Sequence, residues 1–66
     1  MIGTIKWFNA KKGYGFITPD SGGEDIFLHI TSVKAAGIFV DEGTKVDFDV
    51  VERNGKKEAG KIKLAQ

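Results

Sequence analysis

Along the chain, apolar residues recur at every second position in several short runs, and no run keeps a helical spacing for long. Ile26, Leu28 and Ile30 alternate with Phe27 and His29; Val46, Phe48 and Val50 alternate with Asp47 and Asp49; Ile62 and Leu64 alternate with Lys61 and Lys63. Each pattern predicts a strand with one face toward a core. Ile2 to Asn9 is a further extended run rich in β-formers (Thr4, Ile5, Trp7, Phe8). The polar turn Lys11-Lys12-Gly13 leads from it into another run, Tyr14 to Thr18. The third run covers Asp25 to Ile30.

The connections carry their own chemistry. In Pro19-Asp20-Ser21-Gly22-Gly23, proline fixes its φ, Asp20 can bond nearby backbone, and the glycines supply positive φ. Asn54-Gly55 tolerates the two positive φ angles of a type I′ hairpin. Thr31 to Glu42 is the longest connection, with a short helical turn expected at Thr31-Ser32-Val33. Five strands within 66 residues predict an all-β fold, a small five-stranded antiparallel β-barrel over residues 1–66 as one domain. Closing the barrel leaves few edges and suits a monomer. The long central connection leaves open a strand-exchanged dimer.

Composition narrows the options. With no cysteine and one histidine, the chain offers neither a disulfide nor a common zinc site, so no metal and no cofactor is expected. Charged and polar residues interrupt the first apolar run by Lys6, so no signal peptide is read. No apolar stretch is long enough to span a bilayer. The expectation is a soluble, cytoplasmic protein with no membrane association. A net charge of +1 will not hold a polyanion by itself.

The candidate chemistry lies in the second and third strands. If Ile26, Leu28 and Ile30 face the core, Phe27 and His29 face solvent, and pairing brings Tyr14 and Phe16 beside them. Rings grouped on a solvated sheet mark a binding surface. Flat rings beside cations suit single-stranded RNA or DNA, since every base has a π-face and every linkage a phosphate. Lys6 and Lys12 flank the rings in sequence, and Asp25 can accept from a base amino group. At ~1–3 kcal/mol per stacked base, three or four rings supply about 6–8 kcal/mol, a dissociation constant on the order of micromolar before ordering costs. Gly13 and Gly15 weaken a strand and call for a bend or a close backbone approach as their reason.

Lys12-Gly13-Tyr14-Gly15-Phe16-Ile17 resembles the first ribonucleoprotein motif of the bacterial cold shock proteins. Ile26-Phe27-Leu28-His29 is similar to their second, and Gly3-Thr4-Ile5-Lys6-Trp7-Phe8-Asn9 to their opening strand. The resemblance covers nearly the whole chain. It implies a barrel of the oligonucleotide-binding (OB) type that binds single-stranded RNA and DNA with low selectivity. The implied role is that of an RNA chaperone or antiterminator that keeps transcripts unpaired without ATP. By position it implies ligand contacts for Lys6, Trp7, Lys12, Tyr14, Phe16, Asp25, Phe27 and His29.

The match has departures. Ile30 stands where the family usually has an aromatic; alternation places it in the core, the family position places it at the ligand, and the core is preferred. Ile38-Phe39 replaces Gly-Phe in the central loop, with Phe39 as that loop's candidate stacking ring. Trp7 and Phe8 are neighbours and cannot both face one side of a regular strand. The resemblance makes Trp7 the surface ring, and Phe8 is expected at the rim as contact or as packing. Lys56, Lys57, Lys61 and Lys63 read as a solvated face, with Lys57 or Lys61 as an extension of a phosphate track.

Two other function classes compete. A small barrel can present the same aromatic face to an extended peptide or protein, and would then ignore oligonucleotides and salt. An enzyme is not expected, since no nucleophile is paired with a base and no phosphate-cradling glycine loop is present.

Overall fold

In a computed structural model, which describes residues 1–65, the order is β1 (Ile2–Asn9), β2 (Tyr14–Pro19), β3 (Ile26–His29), α1 (Ile30–Ala36), β4 (Lys45–Arg53) and β5 (Lys56–Leu64). The strands close into a barrel in the order β1-β2-β3-β5-β4, with β4 returning to β1, as in an OB-type fold. Four of the five seams are antiparallel, as expected. The fifth, β3 against β5, is parallel. A ring with an odd number of strands cannot reverse direction at every step, so closure itself requires one parallel neighbour.

Ile5, Ile17, Leu28, Val46 and Phe48 fill the centre and are almost wholly buried, with Ile26, Ala59 and Ile62 around them. They are the inward members of the alternating runs. The Asn54-Gly55 hairpin forms as expected, with φ of 53° and 76° between Arg53 and its partner Lys56.

Two irregularities set the phase of the strands. Ile5 pairs with Ile17, but Trp7 pairs with Phe16, so Lys6 is an extra residue in β1. A bulge of this kind shifts which residues face out. It carries Trp7 to the outer face with Phe16 and leaves Phe8 opposite Gly15, packed against the core. The second irregularity lies between β4 and β5, where Asp47 pairs with Lys63 but Asp49 with Gly60. Lys61 takes up the extra residue with φ of 46°, a left-handed conformation a side chain adopts at a cost.

Several sequence expectations need correction. Val50 and Leu64 were expected to face the core with Phe48 and Ile62, yet they are 38% and 46% exposed. Their partners Ala59 and Val46 are buried. The alternation therefore holds its phase while the strand ends outrun the cover of the barrel. β4 and β5 are longer than their apolar alternation, and β2 runs one residue further, to Pro19.

The third strand is shorter than expected because Ile30 opens α1 and is half-buried outside the core cluster. The helix extends to Ala36, well past the single turn expected at Thr31-Ser32-Val33. His29 makes this possible: its Nδ1 accepts from the Thr31 backbone N–H at 3.1 Å and satisfies one open donor of the first turn. Among the described residues, no helix is long and apolar enough to cross a membrane.

Candidate nucleic-acid interface

The registers of β1, β2 and β3 place four rings and an imidazole on one outer face. Phe16 lies between Trp7 and Phe27 across the sheet, and Tyr14 is opposite His29. Trp7 is 5.4 Å from Tyr14 and 5.5 Å from Phe16, centroid to centroid. Tyr14 and Phe27 are stacked at 5.7 Å, and Phe16 meets Phe27 edge-on at 5.8 Å. Phe27 reaches His29 at 6.2 Å. All four aromatic rings are half-buried, and His29 is exposed. They support one another at their edges while keeping surface toward solvent.

The glycines that interrupt this face have different reasons. A Cβ on Gly15 would press on the Trp7 carbonyl oxygen and lie 2.7 Å from the Phe8 Cα, so glycine lets β1 and β2 approach closely. Gly13 instead has a φ of 84° in the turn before β2, and its carbonyl accepts from the Ile30 N–H at 2.9 Å. That bond ties the start of α1 to the aromatic face.

Charges surround the rings in opposed pairs. Lys6 Nζ donates to Asp25 Oδ2 at 2.9 Å, and Thr18 Oγ1 donates to Asp25 Oδ1 at 3.2 Å. Each oxygen of Asp25 therefore already holds a partner. The hydrogen bond from Lys6 keeps the Asp25 carboxyl below its usual range, aided by Thr18 and by the ammonium charge, against a smaller opposing effect of burial. Asp20 is lowered in the same way, first by the hydrogen bond from Lys45 at 2.8 Å, with Thr4 assisting and burial opposing. Lys12 is exposed, with its backbone N–H donating to Asn9 Oδ1 at 3.0 Å in the turn.

These carboxylates give the fold an acid limit. Both have folded-state pKa values below their unfolded ones, so the stability they contribute is present above the ordinary carboxylate pKa. It is lost as pH falls through the lowered folded values. The midpoint of thermal unfolding is expected to drop as pH is taken below about 4. Asp25→Asn and Asp20→Asn should each flatten that drop. A midpoint unchanged down to pH 2, or a variant as acid-sensitive as the parent, would remove these pairs from the account.

Of the remaining sequence candidates, Phe8 is half-buried and packs against the core, with no ring contact to the array among the described residues. Phe39 lies apart in the loop after α1 and is 95% exposed, between the half-buried Ile38 and the buried Val40. Sequence reading named Lys57 as an extension of a phosphate track but not the groove that Lys57 lines. A groove of about 710 Å³ runs between Phe16 and Phe27 on one side and Arg53, Lys56 and Lys57 on the other. Its wall follows from the pairing of Phe27 with Glu58 in β3 and β5. Glu58 in turn holds Arg53, with Nε to Oε2 at 3.4 Å. Lys57 and the Asn54-Gly55 turn pointed to this β4–β5 arm, but no local pattern brings it beside β3.

Comparison with known proteins gives one consistent answer. The family described as the "Cold-shock" DNA-binding domain matches residues 1–65. Over 66 residues the chain is 46% identical to the cold shock protein CspA of Rhizobium meliloti (strain 1021), covering 96% of each chain. It is 44% identical over 63 residues to the probable cold shock protein y4cH of Sinorhizobium fredii (strain NBRC 101917 / NGR234), 91% of each. The probable cold shock protein A of Mycolicibacterium smegmatis (strain ATCC 700084 / mc(2)155) is 49% identical over 49 residues, 73% of each.

Proposed function

Since the chain belongs to the "Cold-shock" DNA-binding domain family, whose members bind nucleic acid and are not enzymes, we propose that it holds single-stranded RNA and DNA by stacking bases on its aromatic face. The observation that carries this reading is the continuous array of Trp7, Tyr14, Phe16 and Phe27, with neighbouring centroids 5.4–6.3 Å apart. A base laid on such rings gains ~1–3 kcal/mol whatever its identity, which gives affinity without strong sequence preference. Lys6 and Lys12 face the phosphates, with Lys57 of the β4–β5 arm as a third contact. Asp25 holds Lys6 in place and faces base amino groups, and His29 closes the array. Phe39, fully open in its loop, adds a ring for a nucleotide beyond the sheet, while Phe8 packs against the core.

In the cell this makes the protein an RNA chaperone or antiterminator. Bases held on the rings cannot pair, so a transcript stays open, and no ATP is consumed. The role places it in the cytoplasm and in the stress response. The closed ring, in which each strand already has two neighbours, supports action as a monomer, with strand exchange between two chains as the alternative.

Trp7 reports directly on occupancy. Titration with a short oligothymidine is expected to quench its fluorescence strongly, and a duplex of equal length to do so weakly. The log–log salt slope is expected near −2, as two or three phosphate contacts give. Equal response to duplex and single strand would replace stacking with general charge attraction. No binding by fluorescence or by anisotropy of a labelled oligonucleotide would leave the face to an extended peptide or protein.

A further inference from the structure

The aromatic array ends at His29, but the surface there does not. A groove of about 330 Å³ starts at His29 and passes Thr31 and Ser32, with Arg53, Glu58 and Gly60 on its other side. Thr31 and Ser32 also line the next stretch, about 490 Å³ between α1 and β5, which ends at Lys61. The two form one channel leading from the last ring around the helix. Ala35, Ala36, Ala59 and Gly60 carry at most a Cβ along it, and Val51 and Ile62 add apolar surface.

The two hydroxyls along this channel are already engaged within the protein. Ser32 Oγ donates to the Ala59 carbonyl at 3.3 Å, and Thr31 Oγ1 lies 3.0 Å from His29 Nδ1. Charge is another matter. Glu58 is the one carboxylate among the lining residues and is paired with Arg53. Lys61 has no carboxylate partner among the described residues. The bulge in β5 with its left-handed backbone at Lys61 sets this side chain at the far end of the channel. An open, shallow, unpaired-cation channel continuous with a stacking face fits a sugar–phosphate backbone.

We propose that the α1–β5 groove is an extension of the nucleic-acid site, in which Lys61 contacts a phosphate of nucleotides lying beyond His29. The inference rests on the stacking reading above and adds a length requirement to it: only strands that overrun the rings reach Lys61. A barrel of this type takes about 4–16 nucleotides, so short and long oligomers separate the two parts of the site.

The test compares labelled oligothymidines of four and ten nucleotides by anisotropy across a salt series. The proteins are the parent, Lys61→Gln, Lys61→Arg and Lys63→Gln. Lys63 loses the same charge from another place, with its Nζ 4.0 Å from Asp47. One phosphate contact on a single strand contributes a slope of about −0.7. Lys61→Gln is therefore expected to flatten the ten-mer slope by about 0.7 and to weaken binding about fivefold at 0.1 M salt, about threefold at 0.2 M. The four-mer is expected to be unaffected, Lys61→Arg to behave as the parent, and Lys63→Gln to leave both lengths unchanged. Parent-like ten-mer binding by Lys61→Gln overturns the inference while the stacking site stands. Equal losses from Lys61→Gln and Lys63→Gln, or a loss shared by the four-mer, do the same. If the parent binds neither length, the stacking reading falls and the extension falls with it.

Discussion

Replacing Phe48 with alanine is expected to cost about 3–5 kcal/mol of stability, the range found when a large buried ring is removed. Phe48 is 1% exposed and has the largest side chain among the fully buried residues. Its ring also lies 2.9 Å from where a Cβ on Gly3 would stand, so the space around it is already filled. A chain of 66 residues has only about 3–10 kcal/mol to lose. Phe48→Ala therefore removes most of the margin and should be substantially unfolded well below the parent's melting temperature. Circular dichroism on heating and in urea measures this. Oligonucleotide affinity should vanish only with the fold. A variant that kept its melting temperature would mean that the centre of the barrel is not where the packing energy resides.

Phe27→Ala is the complementary case. Its ring meets Tyr14, Phe16 and His29, so it is the middle of the array. It is not among the buried core residues. Binding to a single strand is expected to weaken by ~1–3 kcal/mol, about 5- to 150-fold. Thermal stability should change far less than in Phe48→Ala. Phe16→Ala should behave similarly, since Phe16 touches both Trp7 and Phe27. Anisotropy and melting, measured on the same preparations, separate the two quantities. An unfolded Phe27→Ala protein with undiminished affinity in its folded fraction would move this ring from the binding surface to the core.

The contrast between these two phenylalanines was legible in the sequence because strand alternation has a fixed period. Phe48 lies between acids, Phe27 between Ile26 and Leu28, and their opposite placement follows. The Asn54-Gly55 turn was legible for the same kind of local reason. What escaped were features set by pairing between distant segments. The bulge at Lys6 that turns Trp7 outward shows only in the register against β2. The length of α1 depends on His29 as its cap, a residue outside the usual capping set. The exposure of Val50 and Leu64 follows from where the barrel ends, which no alternation encodes. The basic wall of the main groove depends on β5 crossing to β3, a neighbour it could not be assigned from sequence spacing.

The odd number of strands has one more effect. The parallel seam it forces is held in register by a single residue pair, Phe27 with Glu58, while every other seam has several. With the shortest ladder to break, this seam is expected to open before the others, with its amides exchanging soonest in a hydrogen-exchange measurement. It also divides the main groove, with Phe16 and Phe27 on one bank and Arg53, Lys56 and Lys57 on the other. A strand of nucleic acid touching both banks closes the gap from outside. Occupancy and ring closure are then expected to be coupled, so that amides of this seam exchange more slowly with an oligonucleotide bound.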